Sequence, residues 1–165
     1  CIDSSKGKGT AVYVSLPFGA AHGRKDEKLQ KSKDVLLTQS SGYNILVADD
    51  DKTTQVTVRK ILEKSGYGVK VVRSGEEVLS ELAQKQYDCV LMDVQMPVLN
   101  GVEATQQIRN SRVAFKDIPI IALTAHAMQG DKEKFLQYGM NGYIAKPVEK
   151  QTLLETLDSI LKDAF

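Results

Sequence analysis

The chain has 165 residues, a formal net charge of +1 and 26% charged residues. That length suits one well-buried domain with an appendage, and the balanced charge excludes the broad basic field that attracts nucleic acid or an anionic membrane. Only Cys1 and Cys89 could form a disulfide, so no disulfide framework is expected, and no run of about 18 apolar residues marks a membrane span. The composition points to a reducing, cytoplasmic setting with no direct membrane contact.

Residues 1–18 carry a glycine turn, Lys6-Gly7-Lys8-Gly9, followed by Val12, Val14 and Leu16 on one face of an alternating segment. This predicts a strand after a turn, with no partner strand nearby. A phosphate-binding loop is not indicated, because Gly9 separates Lys8 from Thr10 where that loop needs Gly-Lys-Ser/Thr. Asp3-Ser4-Ser5-Lys6-Gly7-Lys8-Gly9-Thr10 with Val14-Ser15-Leu16-Pro17-Phe18 resembles the last hairpin of the ATP-binding domain of sensor histidine kinases. The resemblance implies that residues 1–18 are the remnant of such a domain, unable to bind ATP alone. Residues 19–42, rich in Lys, Asp, Ser and Gly, are expected to be a linker.

From Tyr43 onward, short apolar runs alternate with helix-length periodic segments. Ile45–Ala48 predicts a strand that stops at Asp49-Asp50-Asp51. A helix over 52–65 follows, placing Val58, Ile61, Leu62 and Ser65 on one face and closing at Gly66. Val69–Val72 is the next strand, and Ser74-Gly75-Glu76-Glu77 has capping-box spacing ahead of a helix burying Val78, Leu79 and Leu82. Cys89–Met92 predicts a third strand delivering Asp93, and Gly101–Asn110 a helix with Val102, Thr105 and Ile108 inward. Ile118–Leu123 predicts strand four, ending at Thr124; Met128–Tyr138 predicts a helix capped by Gly139. Tyr143–Ala145 predicts strand five, before a last helix buried through Leu153, Leu154, Leu157, Ile160 and Leu161.

Strict β/α alternation predicts an all-parallel, doubly wound sheet with helices on both faces. Ligands in such sheets sit beyond the carboxyl ends of the strands. The residues there are Asp49, Asp50, Asp93, Thr124 and Lys146. Three converging carboxylates repel one another unless a cation joins them, and oxygen ligands suit Mg²⁺ or Mn²⁺. Lys146 adds positive charge and Thr124 a hydroxyl, the electrostatic parts that phosphoryl transfer to a carboxylate nucleophile requires. Each residue alone has an ordinary explanation as a turn, cap or surface residue; their ordered placement at successive strand ends does not.

Residues 44–163 resemble the receiver domain of two-component response regulators. The resemblance implies a flavodoxin-like (βα)5 fold with strand order 2-1-3-4-5, spanning residues 43–165. It implies that Asp49 and Asp50 bind Mg²⁺, that Asp93 accepts a phosphoryl group from phosphohistidine, and that Gln95 lends its backbone carbonyl to the metal. Thr124-Ala125 and Lys146-Pro147 match the family's later strand ends, the Lys-Pro peptide being usually cis, and Tyr143 matches its aromatic switch residue. Asp51 is expected to cap the first helix.

Together with the kinase-like opening, this suggests the C-terminal receiver of a hybrid histidine kinase, whose membrane anchor, if any, lies elsewhere. Its partner would be a phosphohistidine domain of a sensor kinase or a histidine phosphotransfer protein. Three other functions are weaker. An aspartyl-phosphate hydrolase places an acid two residues after its nucleophile, where this chain has Gln95. A flavin-binding module needs a phosphate-holding loop where three acids stand. An interaction module that is never phosphorylated would not need the full set of site residues. His22 and His126 lack partners at ligand spacing, Cys89 reads as a core thiol, and the methionines read as packing residues.

Overall fold

A computed structural model describes residues 2–5, 9–12, 42–111, 114–125 and 131–164. The chain divides into two units, Cys1–Asp34 and Val35–Phe165. In the first, β1 (Ile2–Ser5) and β2 (Gly9–Val12) pair antiparallel, with Ile2 opposite Val12 and Ser5 opposite Gly9. The strand after the glycine turn therefore has a partner, which alternation alone did not give it although a hairpin is what the resemblance implies. With Ile2 as its one apolar residue, β1 is too short to show a period of two. Residues 13–41, including the rest of the kinase-like segment and nearly all of the expected linker, lie outside the described residues.

The second unit runs β3 (Asn44–Ala48), α1 (Lys52–Lys64), β4 (Gly68–Val72), α2 (Gly75–Gln84), β5 (Cys89–Asp93), α3 (Gly101–Asn110), a 3₁₀ turn (Ala114–Asp117), β6 (Ile120–Thr124), α4 (Asp131–Gln137), β7 (Gly142–Ala145) and α5 (Lys150–Ala164). The five strands lie in the order β4-β3-β5-β6-β7, and every neighbouring pair is parallel. That is the expected 2-1-3-4-5 order, with the first strand of the repeat inside the sheet and the chain reversing direction across it.

Side chains alternate along each central strand, so the sheet feeds two apolar layers. Leu46, Val90, Met92, Ile120 and Ala122 pack with Val78 and Leu82 of α2, Ala104 and Ile108 of α3 and Phe135 of α4. Ile45, Val47, Leu91, Ile121 and Leu123 pack on the other side with Val58 and Leu62 of α1 and Leu153 and Leu157 of α5. Because both faces are covered, β5 and β6 are buried at every position. Each large apolar side chain removed from water there contributes about 1.5–3 kcal/mol, and this is why these strands read as unbroken apolar runs.

The helix ends explain where the loops begin. Asp51 caps α1 by accepting the Thr54 N–H at 2.8 Å, as expected. Gly66 (φ +87°) and Gly139 (φ +89°) close α1 and α4 in the left-handed conformation, and the Tyr67 N–H reaches back to Leu62 O while the Met140 N–H reaches Phe135 O. Ser74 caps α2 through the Glu77 N–H, but the Glu77 carboxylate accepts from the Arg73 N–H, so the reciprocal box expected there is displaced by one residue. A complete capping box opens α3 instead, between Asn100 and Glu103. Strand four begins two residues later than expected, at Ile120. Residues 126–130, which include the expected start of the fourth helix at Met128, lie outside the described residues. Among the described residues no helix is long and apolar enough to cross a membrane.

Candidate functional site

β3 and β5 are paired neighbours that run parallel, so both end on the same side of the sheet. Asp49 follows β3 and Asp93 closes β5, which brings the two carboxylates to one rim. Asp50, next along the chain, completes a cluster in which one oxygen from each of Asp49, Asp50 and Asp93 lies within 4.8 Å of the others. Asp49 is fully buried and Asp93 nearly so, while Asp50 is exposed.

Asp49 is tied down on three sides. Its N–H donates to Val72 O at 3.2 Å, its Oδ1 accepts the Asp51 N–H at 2.9 Å, and its backbone carbonyl accepts the Gln55 side-chain amide. Asp93 Oδ1 accepts the Gln95 N–H at 3.0 Å. Gln95 thus touches the site through its amide nitrogen, and its own side chain is exposed. On the far side, β7 delivers Lys146, whose Nζ lies 2.7 Å from Asp93 Oδ2 and 2.7 Å from Asp49 Oδ2. The Lys146-Pro147 peptide is cis, and the Lys146 N–H donates to Thr124 O at 2.7 Å. Thr124 is buried at the end of β6, opposite Ala145 and one residue beyond Leu123, the register partner of Asp93.

Electrostatically the site is short of positive charge. Burial pushes the Asp49 carboxyl above its ordinary value; contact with Lys146 and the Asp51 N–H pulls it back only in part, and Asp93 pushes it further up. Burial works to lower Lys146, but its ion pairs with Asp49 and Asp93 outweigh that, so the ammonium is held above the usual lysine range. Among the described residues one ammonium, that of Lys146, stands against the cluster, in contact with Asp49 and Asp93. Asp49 Oδ2 is buried, and the contact it has is the ion pair with the Lys146 ammonium, 2.7 Å away. A buried carboxylate oxygen held by an ion pair alone, beside two further carboxylates, is what a hard divalent cation would satisfy, so these residues fit Mg²⁺.

Tyr143 is half-buried on β7, with its ring centroid 6.0 Å from that of Phe135 on α4. It packs on the same side of the sheet as Ala122 and Met140. The structure thus gathers Asp49, Asp50, Asp93 and Lys146 directly and places Thr124 beside them. Asp51 stands apart as a helix cap whose carboxyl is lowered chiefly by the Thr54 N–H. His126 lies outside the described residues. Cys89 is buried, and burial raises its thiol, consistent with an inert core residue.

Two contributors were not anticipated. Gln55 reaches the carbonyl of Asp49 from six residues away, and no sequence pattern marks such a contact. Gly101 brings the start of α3 so close to β5 that an added Cβ would overlap the Asp93 carbonyl oxygen and stand 2.8 Å from Met92 Cγ. Asn100-Gly101-Val102-Glu103 carries the capping-box spacing that could have located this tight junction.

The sequence profile of the response regulator receiver domain matches residues 45–158. Hybrid signal transduction histidine kinase I of Dictyostelium discoideum is 40% identical over 132 residues, which are 76% of this chain but 8% of that kinase. The polar-differentiation response regulator DivK of Brucella ovis is 36% identical over 121 residues, 73% of this chain and 98% of DivK. The crystal structure of the receiver domain of sensor histidine kinase PA1611 from Pseudomonas aeruginosa PAO1, with a magnesium ion coordinated in its active site cleft, superposes with a TM-score of 0.67. It is 38% identical, and the match covers 74% of this chain and 99% of that domain. With its strand order and its carboxylates gathered at the strand ends, the chain belongs to the response regulator receiver domain family and carries a receiver domain of two-component signal transduction.

Proposed function

We propose that Asp93 is a phosphoacceptor, taking a phosphoryl group from phosphohistidine. The observation that carries this is the approach of Lys146 to Asp93 and Asp49 within an acid cluster that is short of positive charge. In the transfer, a carboxylate oxygen of Asp93 forms a bond to phosphorus as the phosphorus–nitrogen bond of the phosphohistidine breaks. The bonding pair stays on the imidazole nitrogen, which is protonated from solvent. Lys146 places an ammonium where charge gathers on the phosphoryl oxygens, and Thr124 offers a hydroxyl from the neighbouring strand end. Asp49, Asp50, Asp93 and the backbone carbonyl of Gln95 would hold Mg²⁺, with Mn²⁺ as a substitute. When bound, the ion supplies positive charge to the transferring group.

The module would be the receiver of a hybrid histidine kinase. Residues 1–18 would be the end of the kinase's ATP-binding domain, 19–42 a linker and 43–165 the receiver. The kinase-like opening and the Dictyostelium relative support that reading. Its partner would be the phosphohistidine domain of a sensor kinase or a histidine phosphotransfer protein, docking beside α1 and the loop after β7, with no role for nucleic acid. Phosphorylation would shift a pre-existing equilibrium in which Thr124 moves toward the phosphoryl group and Tyr143 turns inward. The chain itself would catalyse only its own phosphorylation and dephosphorylation. Labelling by acetyl phosphate and Mg²⁺ that depends on Asp93 tests the proposal; equal labelling of Asp93→Asn would refute it.

A further inference from the structure

Asp50 is the one member of the acid cluster whose carboxylate makes no hydrogen bond or ion pair among the described residues, and it is exposed. Asp49 and Asp93 are held by side-chain contacts of their own. Asp50 is placed by its backbone alone, and that placement depends on the peptide joining Asp49 to Asp50. The carbonyl of this peptide lies past the end of β3 and before α1. Its partner is the side-chain amide of Gln55, half-buried one turn into α1. Gln55 is itself fixed, since its N–H donates to Asp51 O at 3.0 Å as α1 begins.

We infer that Gln55 is a positioning residue for the metal site, holding the Asp49–Asp50 peptide so that the Asp50 carboxylate points into the cluster. The inference rests on the reading that Asp49, Asp50 and Asp93 bind a divalent cation. Gln55 touches neither the ion nor the phosphoryl group. Its amide satisfies a carbonyl that would otherwise turn toward water, and rotation of that peptide would carry Asp50 out of reach. Groups that orient metal ligands in this indirect way change affinity by about 10- to 100-fold when removed.

The test titrates Mg²⁺ into the full chain and into Gln55→Met, a side chain of the same length without a donor, by isothermal calorimetry. Metal-free thermal unfolding is followed in parallel. The expected result is about 10-fold weaker Mg²⁺ binding in the variant, with unfolding still a single cooperative transition and metal-free amide resonances displaced at Asp50 and Asp51. Gln55→Asn, which keeps the amide but falls one methylene short, should lose affinity in the same way and serves if the methionine variant does not fold. Wild-type Mg²⁺ affinity in a folded variant would overturn the inference while leaving the metal site standing. Failure of the wild-type chain to bind Mg²⁺ would overturn the metal site and the inference with it.

Discussion

Asp93 and Lys146 meet across the end of the sheet, with Nζ 2.7 Å from Oδ2, although β6 lies between the strands that deliver them. The same ammonium lies 2.7 Å from Asp49 Oδ2. Lys146 therefore occupies ground that a metal ion would compete for, while providing charge that a phosphoryl group would need. Its removal should move two observables in opposite directions. Lys146→Met should bind Mg²⁺ more tightly, since a cation no longer neutralises two of the ligands, and should take up phosphate about 100-fold more slowly. Calorimetry and the initial rate of labelling by acetyl phosphate measure the two effects; a parallel loss of both would show that Lys146 serves only to hold the fold.

Asp49 should make metal-free stability depend on pH. Its folded-state carboxyl is raised above the ordinary 3.8 by burial. The contribution of its protonated form to stability is fully present below the unfolded value and is lost as pH rises through the raised folded value. Asparagine cannot ionise. In a chelator, Asp49→Asn should therefore unfold at a higher temperature than the wild type at neutral pH, and the gap should close toward pH 3.8. Lys146 does not disturb this comparison, because its own raised value sends its titration above 10.5. Thermal melts over a pH series in chelator provide the check, and the stabilised variant should no longer bind Mg²⁺.

Gly101 sets the spacing between the acceptor strand and α3. Its own N–H donates to Val94 O at 3.2 Å, and an added Cβ would meet the Asp93 carbonyl, a backbone atom that cannot swing aside. Gly101→Ala should cost about 1–3 kcal/mol in urea unfolding, despite the better helix propensity of alanine. Unchanged stability would mean that α3 can withdraw from β5 freely.

Arg109 ties together three segments remote from the acid cluster. Its guanidinium donates to Gly139 O at 2.8 Å, Lys116 O at 2.6 Å and Asn141 Oδ1 at 3.0 Å, and Asn141 Oδ1 also accepts the Ile120 N–H. Arg109→Met keeps the stem and removes the fork. It should lower stability by about 2–3 kcal/mol, read from urea unfolding, with Mg²⁺ affinity unchanged.

The strand ends were legible because buried parallel strands appear as short apolar runs and the acids interrupt them abruptly; Ile45–Ala48 before Asp49, and Cys89–Met92 before Asp93, are the clearest cases. Helices α1 and α5 were legible because one face of each meets the core while the other meets water. What the pattern could not show were contacts set by three-dimensional approach. Gln55 and Arg109 are polar residues on helices and look like solvent-facing positions until the acceptors they reach are known. β1 holds too few alternating residues to show its pairing with β2, and Ser74 and Asn100 share capping-box spacing although the reciprocal pair forms at Asn100.

Phosphoryl acceptance by Asp93 leaves a chemical trace: the full chain is incubated with acetyl phosphate and Mg²⁺, any acyl phosphate is trapped by borohydride reduction, and the modified residue is located by peptide mass spectrometry. One reduced aspartate is expected, at Asp93, and none after metal chelation or in Asp93→Asn. Modification at another residue, or the same yield in Asp93→Asn, would rule out Asp93 as the acceptor.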